Sequence, residues 1–266
     1  MNLQELQQQE LQQIVLCYAL LLPRFISCFI MLPVLSKQVL GGALIRNGVC
    51  CSLLLFVWPL VADSFNTAIT GWDLLLLIGK EIILGIVIGF IAAIPFWAVE
   101  AAGFLIDNQR GATMASVLNP ALGSQSSPVG LFLTQTLITL FYSGGAFLTL
   151  LSALYQSYAS WPVTAFFPQL GVQWVAFFYG QFNQMLRLAL LLSAPLLIAM
   201  FLAEFGLALM GRFAPSLNVF ILAMPIKSAI ASLLLVVYIS IMMRYAFGAV
   251  LGSIAPLDLL RPMLGL

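Results

Sequence analysis

The sequence contains no histidine, and only 7% of its 266 residues are charged. Without histidine, and with four cysteines (Cys17, Cys28, Cys50 and Cys51) that form no C-x-x-C pair, the chain lacks the ligand set of a zinc site. All four cysteines lie in apolar stretches, where the thiol acts as a small hydrophobe rather than a disulfide partner. Ten basic and nine acidic residues give a formal net charge of +1, and no long run of either sign occurs, so no electrostatic footprint for nucleic acid is present. No serine stands in a G-x-S-x-G motif and no Gly-rich phosphate loop is found. Asp107 and Glu100 have no His or Cys to work with, so neither an enzyme nor a cofactor is expected. The first 13 residues carry Glu5 and Glu10 and no Lys or Arg, unlike the basic start of a cleavable signal peptide, so the N-terminus is expected to be retained.

What the chain has is apolar surface: 62% of its residues are hydrophobic, well above the roughly half usual in soluble domains. A membrane-spanning helix needs about 20 apolar residues. Stretches near 11–35, 39–62, 73–99, 129–155 and 172–205 qualify, and 215–252 is long enough for a bent helix or a hairpin. Connections are short, the longest being 156–171, so no extramembrane domain is expected. Basic residues are spread over the whole length and define no orientation.

These stretches suit plain lipid poorly. Arg24, Arg46, Lys80, Glu81, Glu100, Arg187, Glu204, Lys227 and Arg244 fall within or beside them. Each charge at a bilayer centre costs about 2.5–3.5 kcal/mol on insertion scales. Pro23, Pro33, Pro59, Pro95, Pro195 and Pro225 each free a backbone carbonyl that protein or water must satisfy. Gly85-x-x-x-Gly89, Ser228-x-x-x-Ser232 and Gly248-x-x-x-Gly252 allow close helix approach, within the chain or to a neighbour. The expectation is an all-α, polytopic membrane protein of kinked helical hairpins, packed mainly by other protein.

Between two apolar stretches, residues 100–128 are too polar for lipid and too apolar for a solvated tail. Asp107 and Arg110 stand three apart and share a helical face, and Gly111 frees the backbone to turn directly after them. Polar or irregular backbone at membrane depth is tolerated where protein buries it or where it lines a water-filled cavity. A pore or gate element follows, with an ordinary extramembrane loop as the plainer reading. A secondary transporter is a competing reading, with Glu81, Glu100, Asp107, Glu204 and Lys227 as a relay, but no inverted repeat supports it.

The run from Pro95 to Thr113, P-F-W-A-V-E-A-A-G-F-L-I-D-N-Q-R-G-A-T, resembles the signature of the SctT family (SpaR, YscT, SsaT), the injectisome relatives of flagellar FliR. Glu204 to Phe220 and Met224 to Ser228 form a second match, and Leu44 to Gly48 with Trp58-Pro59 a weaker one, so the likeness covers most of the chain. The resemblance implies a single 1–266 export-gate domain. It also implies that one copy joins several SctR and SctS subunits in a helical assembly, beside SctU- and SctV-type subunits, in the bacterial inner membrane, with membrane lipid around it. Much of that complex stands raised above the membrane plane, and unfolded secretion substrates pass through its centre.

The family's pore plug carries over to about 106–122: Ile106, Asp107, Asn108, Gln109, Arg110, Gly111, Ala112, Thr113 and Met114, with Asn119 and Pro120 following. Glu100, Glu204, Arg212, Pro215, Asn218 and Lys227 are implied to be buried or packed charged and polar positions whose pairing the resemblance does not give. The D-N-Q-R-G wording and the short C-terminus favour the injectisome branch over the flagellar one.

Overall fold

In a computed structural model of the chain, residues 3–35, 42–57, 71–112, 127–164, 174–213 and 218–254 are described, the side chains of 3–13 and of Phe220 excepted. Among the described residues there is no strand. The helices are α1 (Leu3–Met31), α2 (Ala43–Leu54), α3 (Gly71–Gln109), α4 (Pro128–Ser143), α5 (Ala146–Ser160), α6 (Trp174–Phe213) and α7 (Val219–Ile254), with a 3-10 turn at Pro33–Leu35. Four helices are long and apolar enough to cross a membrane, and the pair α4 and α5 makes a fifth if taken as one broken span. The chain is an all-α, polytopic membrane protein.

The helix ends differ from the sequence expectation in two places. In the apolar stretch 39–62 the described residues form the 12-residue α2 and then a turn at 55–57 instead of continuing as helix; 39–41 and 58–62 are outside the described residues. The stretch 129–155 is not one helix: Gly144 and Gly145 break it, and Gly145 takes the left-handed backbone (φ 77°) that side chains disfavour. For 215–252, where the sequence leaves a bent helix and a hairpin both open, the described residues form a single helix from Val219. Pro23, Pro95, Pro195 and Pro225 all lie inside continuous helices.

The chain packs as two compact units. The first comprises 1–93, 145–178 and 253–266, and the second 94–144 and 179–252.

In the first unit, α3 lies directly against α1 because glycine removes the side chains that would hold them apart. A Cβ on Gly85 would run into Ser27 and the Arg24 carbonyl, and one on Gly89 into the backbone of Cys28. The Gly85-x-x-x-Gly89 pattern is therefore an intramolecular contact. Around it Phe25 and Phe29 are fully buried, with Phe25 stacked on Tyr158 at a centroid distance of 6.1 Å.

In the second unit, Ile106 of α3, Leu196 and Met200 of α6 and Ala231 of α7 form a buried cluster. Phe96 meets Phe141 edge to face at 5.5 Å. Gly103 of α3 abuts the backbone of Gly130 in α4, again a contact that only two glycines permit.

Candidate functional site: two buried charge clusters and a closed loop base

The polar segment of the sequence begins as helix. Helical hydrogen bonding is indifferent to side-chain polarity, so α3 runs through Glu100 and ends only at Gln109. It stops in a paired-bond cap. The Gly111 N–H donates to the Asn108 carbonyl (3.1 Å) and the Ala112 N–H to the Asp107 carbonyl (3.0 Å), with Gly111 left-handed at φ 84°.

Asp107 sits in the last turn, and its side chain is almost wholly buried. One carboxylate oxygen faces the Arg110 guanidinium at 2.7 Å, the i, i+3 pair expected from sequence. The other accepts from the Ser127 hydroxyl (2.6 Å) and the Val129 N–H (2.9 Å). Ser127 in turn caps α4, accepting from the Gly130 N–H at 2.9 Å, with Pro128 directly after it. One carboxylate thus ties the point where the chain leaves α3 to the point where it enters α4, and closes the base of the intervening segment.

A second tether reaches the same base from α6 and α7. Lys227 donates to Glu204 at 3.0 Å, and the Gln109 amide approaches the same Glu204 oxygen at 3.4 Å. Gly111 lies beside Met224, three residues before Lys227, at ordinary contact distance.

Of the expected plug residues, Ile106 is a core residue, Asp107, Asn108 and Gln109 are the last turn of α3, and Arg110 to Ala112 form the turn after it. Thr113, Met114, Asn119 and Pro120 lie outside the described residues, as does Pro215. Of the implied buried positions, Lys227 is buried and Glu204 half-exposed. Glu100, Arg212 and Asn218 are exposed in the chain by itself.

The sequence reading missed the largest charge cluster. In the first unit Arg24 of α1 grips Glu81 of α3 with two nitrogens, at 2.6 and 2.8 Å, and both side chains are 0% exposed. Lys80 lies 3.0 Å from the same carboxylate and donates to the Pro162 and Val163 carbonyls at 3.0 and 2.8 Å. Arg24 also donates to Ser157 and the Trp161 carbonyl, and its guanidinium covers the Tyr158 ring at 4.0 Å. Two cations and one anion are balanced by three consecutive carbonyls after α5. Such backbone partners carry no sequence signal.

A family model for bacterial export proteins, family 1, matches residues 15–251. The chain belongs to this family. It is 65% identical to Yop proteins translocation protein T of Yersinia pestis, over 96% of this chain and 97% of that one. It is 36% identical to the secretion system apparatus protein SsaT of Salmonella typhimurium, over 86% and 89% of the two chains. Flagellar biosynthetic protein FliR of Bacillus subtilis is 34% identical over 63% of this chain and 65% of its own. The resemblance read from Pro95–Thr113 and Glu204–Ser228 is thereby borne out at the level of the family.

Proposed function

We propose that this chain is a structural and gating subunit of the export gate of a type III secretion apparatus in the bacterial inner membrane, joining SctR- and SctS-type subunits around a conduit for unfolded proteins. The observation that carries the reading is the 65% identity, over almost the full length, to a protein named for Yop translocation. The shorter and weaker match to flagellar FliR supports the secretion branch over the flagellar one. Four of the five groups a proton relay would use are held in local ion pairs, Glu81 with Arg24 and Lys80, Asp107 with Arg110, and Glu204 with Lys227, while Glu100 stands exposed apart from them.

In this reading the segment that leaves α3 at Ala112 and returns at Ser127 plugs the pore, and its base is the moving part's anchor. Asp107 holds the two ends together, and the Gln109 amide meets Glu204, itself paired with Lys227, so that the base is tied to α6 and α7. The gate supplies no energy of its own. Opening is a shift between two arrangements of one loop, and a change of about 1.4 kcal/mol at its base alters the closed-to-open ratio about tenfold.

Co-expression with SctR and SctS, mild detergent extraction and native mass spectrometry test the assignment. One copy of this chain in a single large complex with both sisters is the expected result. A particle containing only this chain, with both sisters present, would overturn it.

A further inference from the structure

Helices α6 and α7 carry charge at two levels only within their apolar middle. Arg187 and Glu204 are 17 positions apart in α6, and Lys227 and Arg244 are 17 positions apart in α7; all residues between them are uncharged. The helices run antiparallel, with Lys227 bonded to Glu204 at one level and Arg187 and Arg244 lining one groove at the other. Seventeen helical steps span about 26 Å, close to the roughly 30 Å hydrocarbon core of a bilayer. The two levels bracket an apolar slab of membrane thickness, with an acid–base pair at one face and two arginines at the other.

Among the described residues the arginine level has no acidic partner. Among the described residues neither Arg187 nor Arg244 meets a carboxylate, since of the acids in this unit Asp107 is engaged by Arg110, Glu204 by Lys227, and Glu100 forms no ion pair with either. Both arginines are exposed into a groove of about 870 Å³, lined also by Asn183, Gln184 and Tyr245. Gly180 and Gly248 open the groove further, because nothing of the chain lies within 4 Å of where their side chains would be.

We infer that this groove binds the phosphate of an anionic phospholipid when the free chain is in the membrane. Two guanidiniums match phosphate oxygens in charge and geometry, the two amides add donors, and the tyrosine suits the boundary between acyl chains and headgroups. Basic pockets between membrane helices are known to take such headgroups, cardiolipin included. The position of the groove at the edge of the apolar slab favours a headgroup over a carboxylate from a neighbouring helix.

The test is native mass spectrometry of the full-length chain in a neutral maltoside detergent, titrated with cardiolipin and, separately, with diacylglycerol, which lacks the phosphate. Wild type and R212Q, which removes an exposed arginine outside the groove, should retain cardiolipin equally and diacylglycerol hardly at all. R187Q/R244Q should retain it about tenfold less, the loss of two charge-assisted contacts, and R187K/R244K an intermediate amount. Should the double glutamine variant fail to fold, R187Q and R244Q singly are read by the same ratio, and each should fall below wild type. Equal retention by wild type and the glutamine variants, or equal retention of the two lipids, overturns the inference. So does cardiolipin-independent cross-linking of these arginines to an acidic helix of a sister subunit.

Discussion

At the scale of single residues, Glu81 and Asp107 do different work with the same chemistry. Glu81 is the one counter-charge shared by two buried cations, so Glu81→Gln leaves Arg24 and Lys80 facing each other with none. Removing one partner of a buried pair costs about 3–5 kcal/mol. The thermal midpoint of Glu81→Gln in detergent should fall accordingly, while Glu100→Gln, at an exposed carboxylate, should stay within about 0.5 kcal/mol of wild type. A Glu81→Gln midpoint equal to that of Glu100→Gln would mean that the cluster contributes nothing to the fold. Asp107 instead joins two chain segments. Asp107→Ala removes the bonds to Ser127 and Val129 as well as the pair with Arg110, whereas Arg110→Ala leaves the first two in place. In the reconstituted gate, resting ion conductance should therefore rise more for Asp107→Ala than for Arg110→Ala. The reverse order, or no leak in either, would separate this base from gating.

At the scale of elements, helix contacts here are set by where side chains are missing. Gly89 presses on the backbone of Cys28, so Gly89→Leu must drive α3 from α1 and should cause the chain to misfold, seen as protease sensitivity in the membrane. Gly248 faces open space, and Gly248→Leu should leave the free chain as stable as wild type or slightly more so, because leucine favours a helix over glycine by about 1 kcal/mol. Gly111 is a third case: a side chain there has room beside Met224, but φ 84° costs an L-residue about 1–2 kcal/mol. These differences are not legible in the sequence, where Gly85-x-x-x-Gly89 and Gly248-x-x-x-Gly252 look alike. The Asp107–Arg110 pair was legible because helical spacing alone fixes it. The Arg24–Glu81 grip was not, since its partners are 57 positions apart and its other acceptors are backbone carbonyls. Helix existence was read well from apolar runs and helix ends badly: Glu100 marks a change in polarity but not in hydrogen bonding, and α2 stops among leucines without Gly or Pro to announce it.

At the scale of the whole molecule, the four cysteines report whether both the fold and its burial are as described. Cys17, Cys28 and Cys50 are buried and Cys51 is exposed, although Cys50 and Cys51 are neighbours on α2. Burial also pushes the Cys50 thiol up to about 11, so that at pH 8 only about one part in a thousand is the reactive thiolate even when reagent reaches it. N-ethylmaleimide at pH 8 should therefore add one label per native chain, at Cys51, and four after denaturation. Raising the pH toward 10 increases the Cys50 thiolate about a hundredfold, but burial still excludes the reagent, so the native count should stay at one. A second label that appears with rising pH would show that α2 opens locally from the first unit. A native count of four at pH 8 would mean that the packing that buries Cys17, Cys28 and Cys50 is not the one the chain adopts in the membrane.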